Sequence, residues 1–84
     1  MEVDRASSIP PYRQIAAQLR AAIADGTWPA GSRLPGVITI MQETGVAALT
    51  ARKALHVLVG EGYAHIQPGM GTYVTPREEW PERP

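Results

Sequence analysis

The feature that most restricts how this chain can fold is a three-residue break between two helical stripes. Val37, Ile40, Met41 and Thr44 share one side of a helix of roughly 37–44, because they recur at three- and four-residue steps. Ala51, Ala54, Leu55 and Leu58 repeat that spacing on a helix from about Ala48 to Glu61. Only Gly45, Val46 and Ala47 separate the two, so Gly45 must end one helix and begin a tight turn into the next. On the later helix, Leu49, Lys53, His56 and Gly60 fall opposite the apolar side at 100° per residue, and Arg52 lies on its flank. Gly62 closes it.

The segments on either side complete the pattern. Pro10-Pro11 sets up a helix start, since proline is tolerated in the first turn. Tyr12, Ile15, Ala16, Leu19 and Ile23 then form an amphipathic stripe that stops at Asp25-Gly26, with Arg13 and Arg20 off the stripe. Thr27 to Gly31 reads as a turn, with Trp28 covering one end of the core. After Gly62, residues 63–67 and 72–75 are short β-prone runs joined by Pro68-Gly69-Met70-Gly71, which predicts a hairpin. Helix, helix, tight turn, helix and hairpin describe an α+β winged helix-turn-helix, three helices followed by a two-stranded wing. The domain is expected over residues 10–75, between a frayed arm at 1–9 and a charged, proline-rich tail at 76–84.

The 84 residues suffice for one small domain. Without cysteine there are no disulfides and no thiolate metal sites, which fits a reducing cytoplasm, where the chain is expected to reside. No apolar run approaches the roughly 18 residues of a membrane span. His56 and His65 stand nine apart with no clustered carboxylates, so no metal site is expected, nor any cofactor. No nucleophile–base pair, phosphate-cradling loop or paired acids mark an enzyme. Net charge is zero, yet it is unevenly spread. Residues 10–75 carry Arg13, Arg20, Arg33, Arg52 and Lys53 against Asp25, Glu43 and Glu61, a net +2, and the flanks carry −2.

Four stretches of this sequence, taken in order, resemble the N-terminal domain of the GntR family of bacterial regulators. They are Pro11-Tyr12-Arg13-Gln14-Ile15-Ala16, Pro29-Ala30-Gly31-Ser32-Arg33-Leu34-Pro35, Thr50-Ala51-Arg52-Lys53-Ala54-Leu55 and Pro68-Gly69-Met70-Gly71-Thr72-Tyr73-Val74. The resemblance implies a transcription regulator that binds a two-fold operator in duplex DNA as a dimer. Its third helix would enter the major groove and its wing would lie at the minor groove. The family usually adds a C-terminal effector-binding domain, and none is expected in this chain. Arg52 matches the family's DNA-contacting arginine, Lys53 and Thr50 suit phosphates, and Leu49 and Gly69 complete the expected DNA-facing set. Arg13, Arg20 and Arg33 are further candidates for phosphate contacts, though equally ordinary surface charges.

Three departures point another way. The family writes Leu-Pro-Ser-Glu-Arg where this chain has Leu34-Pro35-Gly36-Val37-Ile38, so a serine cap and an arginine are replaced. Gly36 and Thr39 are weak substitutes for that cap. Ser-Arg before the third helix becomes Ala47-Ala48, and the cation between the wing glycines becomes Met70. A good bidentate base contact is worth about 1–3 kcal/mol, so losing two costs several orders of magnitude in affinity. Ile38, Ala48 and Met70 are accordingly candidates for an apolar patch that contacts a protein partner. The alternative to a DNA binder is thus a winged-helix interaction module.

Overall fold

The computed structural model describes residues 1–81; residues 82–84 of the expected tail lie outside the described part. Helix α1 spans Pro11–Ala24, α2 Val37–Thr44 and α3 Ala48–Glu61, followed by strands β1 at Ala64–Gln67 and β2 at Gly71–Val74. A short 3-10 turn at Arg77–Glu79 closes the described chain. The helices begin and end where the local chemistry requires. Pro11 occupies the first turn of α1, and Gly45 and Gly62 terminate α2 and α3 in the left-handed region, at φ 77° and 88°. Gly36 and Ala47 cap α2 and α3 without a side-chain hydrogen bond, as their lack of a hydroxyl or carboxylate dictates.

Ile15, Leu19 and Ile23 of α1 meet Ile40 of α2 and Ala51, Ala54, Leu55 and Leu58 of α3 in a single core. Leu34, Val46, Ala64 and Val74 seal it, with Trp28 packed at its margin. Each large aliphatic side chain buried in this way contributes about 1.5–3 kcal/mol. The alanines of α3 let α1 approach closely. The Lys53 ammonium lies 5.1 Å from the Tyr12 ring centre, and Arg20 bonds Glu61, eight residues further along each helix. The two helices therefore run side by side in the same direction, and α3 displays its opposite face to solvent.

The hairpin is antiparallel, with His65 opposite Tyr73 and Gln67 opposite Gly71. Its boundaries differ by one residue from those expected. Tyr63 joins the two elements, donating its amide to the Leu58 carbonyl of α3 and accepting from the Thr75 amide beyond the end of the ladder. The stretch before α2 is more than a turn. Leu34 donates to the Thr72 carbonyl at 2.8 Å and Val74 to the Ser32 carbonyl at 2.9 Å, with a β-bridge between Arg33 and Tyr73. Ser32 to Leu34 thus satisfies the outer edge of β2, which a two-stranded wing would leave unpaired.

Both flanks make contacts that lack any local signature. Gln14 accepts a hydrogen bond from the Asp4 amide at 2.8 Å and donates to the carbonyls of Asp4 and Ile9. Gln18, one turn later, accepts from the Glu2 amide, and Met1 and Val3 pack on the core. These two glutamines act as amide clamps that lay the first residues along α1, where a frayed arm was expected. At the other end, the Trp80 indole donates to the Thr75 carbonyl at 2.8 Å and meets the Tyr63 ring edge-on at 5.3 Å. Arg77 donates to the Ala24 carbonyl, satisfying an open acceptor at the end of α1.

Candidate nucleic-acid interface

Helix α3 is the candidate interface because its two sides differ so sharply. Ala51, Ala54, Leu55 and Leu58 are buried, while Leu49, Arg52, Lys53 and His56 project as one exposed row. Thr50 is half-buried beside that row. The division follows the 3.6-residue period: the inward four are those expected, and Arg52, expected on the flank, is exposed with Leu49, Lys53, His56 and Gly60. The outward row holds two permanent cations and no acid.

The row is flanked on both sides. Towards α1, the Lys53 ammonium and the Arg13 guanidinium both lie over the Tyr12 ring, at 5.1 and 5.5 Å from its centre. The ring faces hold these cations near the start of α1 and α3. Towards the wing, an open cleft of about 430 Å³ separates α3 from the hairpin. Arg33, Arg52, His56, Gln67 and Thr72 supply its polar lining, Val37, Leu55, Val59, Ile66 and Met70 its apolar walls, and no carboxylate borders it. Arg33 lies in this cleft with its guanidinium against Gly71, which has no side chain. A Cβ at that position, where φ is 135°, would stand 2.7 Å from the arginine Nε.

The acids lie elsewhere. Glu61 is bonded by Arg20 through both oxygens, at 3.0 and 3.2 Å, at the far end of α3. That pairing takes Arg20 away from the exposed row. Glu43 meets the N-terminal ammonium at 3.5 Å. Asp25, at the end of α1, accepts hydrogen bonds from the Thr27 hydroxyl and amide, which hold its carboxyl below the usual carboxylate range. Arg5, in the first segment, directs its guanidinium to the Thr44 carbonyl beside the helix-turn-helix turn.

Apolar side chains also stand on this side. Ile38 is 68% exposed on the first turn of α2, Leu49 63% exposed on α3 and Met70 58% exposed at the wing tip. Ile38 and Met70 border two neighbouring clefts that share Arg33 and Val37. Ala48 is half-buried at the start of α3, and Gly69 is exposed in the wing turn with φ 76°. His56 was assigned no role from sequence, although its helical phase alone puts it in the row. The position of Gln67 in the cleft depends on the hairpin docking against α3, for which the sequence carries no signal. Among the described residues no cluster of three histidines or acids is positioned for a metal, and no helix is long and apolar enough to cross a membrane.

Comparison with known proteins agrees with this geometry. Residues 11–74 match the family described as bacterial regulatory proteins, gntR family. The chain is 42% identical over 65 residues to the mannosyl-D-glycerate transport/metabolism system repressor MngR of Escherichia coli, covering 77% of this chain and 27% of that protein. It is 35% identical over 75 residues to the transcriptional repressor NagR of Bacillus subtilis, covering 89% and 31% respectively. The chain thus spans less than a third of the length of these curated relatives. Among solved structures, the GntR-family transcription factor YtrA of Sulfolobus acidocaldarius superposes with a TM-score of 0.80 at 36% identity, over 90% of this chain and 64% of that one. The DNA-binding domain of AraR, in complex with operator ORX1, superposes at 0.83 with 26% identity, over 89% and 95%. With the matched residues spanning all three helices and the wing, the chain belongs to the GntR family and carries its winged helix-turn-helix DNA-binding domain.

Proposed function

We propose that this domain binds duplex DNA with α3 in the major groove and the β1–β2 hairpin beside the minor groove, as part of a bacterial transcription regulator in the cytoplasm. The observation that carries this reading is the exposed row of α3, which presents Arg52 and Lys53 with no acid among them. Arg52 is the residue assigned to a base edge or a neighbouring phosphate, since a guanidinium forks onto guanine or a phosphodiester. Lys53 and Thr50 take phosphates, and Arg13 joins Lys53 across Tyr12 on the same strand. Leu49 offers an apolar contact to a thymine methyl. Gly69 lets the wing backbone approach the minor groove. The AraR domain, of the same architecture, is bound to its operator, which supports this docking. Two such domains on a two-fold site would form the functional unit, acting by occupancy and not by catalysis.

The test is fluorescence anisotropy of a labelled generic duplex from low to physiological salt, beside an Arg52→Ala/Lys53→Ala variant. Each phosphate contact contributes about 0.9 to the slope of log affinity against log salt, so the double variant should flatten it by about two. A second reading, docking of a protein partner, is favoured by the exposure of Ile38, Leu49 and Met70. Absence of binding to generic DNA even at low salt would remove the first reading and leave the second.

A further inference from the structure

The cleft between α3 and the wing has the chemistry of an oxyanion seat. Three residues from two parts of the chain that carry cationic or N–H donor groups line it: Arg33 from the bridged stretch before α2, and Arg52 and His56 from adjacent turns of α3. Their convergence depends on backbone geometry. The Arg33 guanidinium lies against Gly71, where a Cβ would stand 2.7 Å from its Nε and displace it. Arg52 and His56 are four residues apart and so project on the same side of α3. Around His56 the charged groups are Arg52 and Lys53 on its own helix and Arg33 opposite, while the wing contributes neutral Gln67. His65, on the strand behind, is hydrogen-bonded to Thr75 and contacts Gln67. No carboxylate lines the cleft, and Glu61 is paired with Arg20 away from it.

We infer that this cleft seats one phosphodiester of the DNA backbone, held between Arg33, Arg52 and an imidazole N–H of His56. The inference rests on the DNA-binding reading and adds to it a contact on the wing side, where the family's wing cation is replaced by Met70. Arg33 then supplies from below the wing a charge that the wing tip lacks. The guanidinium forks onto two phosphate oxygens, and His56 donates to a third lone pair.

The experiment measures binding of the whole chain to a labelled generic duplex at several salt concentrations, for the wild type, Arg33→Ala, Arg33→Lys, His56→Ala and Arg20→Ala. Losing one phosphate contact should reduce the salt slope by about 0.9, which is about eightfold in affinity at 0.1 M salt relative to the 1 M limit. Arg33→Ala should show that loss, and Arg33→Lys should keep the slope because it keeps the charge. His56→Ala should lose about 2–10-fold, the effect of one hydrogen bond. Arg20→Ala should bind as the wild type does, and melting curves should show every variant folded. If the wild type binds with a steep slope and Arg33→Ala and His56→Ala match it, the seat is refuted and the DNA reading stands. If the wild type does not bind, both fall. Millimolar inorganic phosphate at constant ionic strength should weaken duplex binding by the wild type and leave Arg33→Ala unaffected, because it competes for the same seat; equal weakening of both would place the competed contact elsewhere and overturn the assignment.

Discussion

Replacing Ile38 with arginine restores a cation that the family carries, and its effect can be worked out from the structure. Ile38 is the second residue of α2, 68% exposed, beside the cleft that also includes Arg33 and Val37. Little burial is lost, so the surface change itself should cost within about 0.5 kcal/mol. A cation in the first turn opposes the helix dipole, at about 0.3–1 kcal/mol. Together these lower Tm by about 1–12 °C in a domain of this size. The domain should hold about 4–13 kcal/mol in reserve, so it stays folded at 25 °C. One new phosphate contact should steepen the salt slope by about 0.9 and tighten generic binding about eightfold at 0.1 M salt. Anisotropy titrations of Ile38→Arg and the wild type over one decade of salt read both quantities. A folded variant with unchanged affinity and slope would refute the reasoning. The first turn of α2 would then not approach the backbone, and its isoleucine would be better explained by a protein contact.

Two further outcomes bear on the ends of the helices. Trp80→Ala removes an edge-on aromatic contact with Tyr63 and a hydrogen bond to Thr75, together about 1–3 kcal/mol, and should lower Tm in thermal unfolding by about 4–24 °C; an unchanged Tm would mean that the C-terminal segment adds nothing to stability. Asp25 is held below the usual carboxylate range by Thr27, so its contribution is present above about pH 4, where the unfolded group is also ionised, and is lost as pH falls through its lower folded value. Asp25→Asn should therefore melt below the wild type at pH 7 and converge with it in strong acid, and a Tm difference that persists in acid would exclude this origin.

The order of elements was legible in the sequence because its signals are local. Apolar spacing along α1 and α3, the glycines at 45 and 62, and the proline pair at 10–11 each act within one or two turns of helix. The outward row of Leu49, Arg52, Lys53 and His56 follows from the same phase, as does the inward set of Ala51, Ala54, Leu55 and Leu58. The absence of side-chain caps at Gly36 and Ala47 could likewise be read from residue identity alone.

Tertiary structure decided everything that depends on contacts between distant residues. Ser32 to Leu34 pairs with β2 some forty residues later, and nothing in that stretch announces a strand. Gln14 and Gln18 look like ordinary polar positions of α1 until the first residues fold back onto them. Arg20 and Arg33 are equivalent surface arginines in the sequence, yet one is taken up by Glu61 and the other reaches the α3–wing cleft over Gly71. Periodicity says which side of a helix is buried, but not which distant residue its exposed side will meet. That depends on how helices and hairpin pack around a shared core, and here the packing turns scattered residues into a surface with cations on both flanks of one helix.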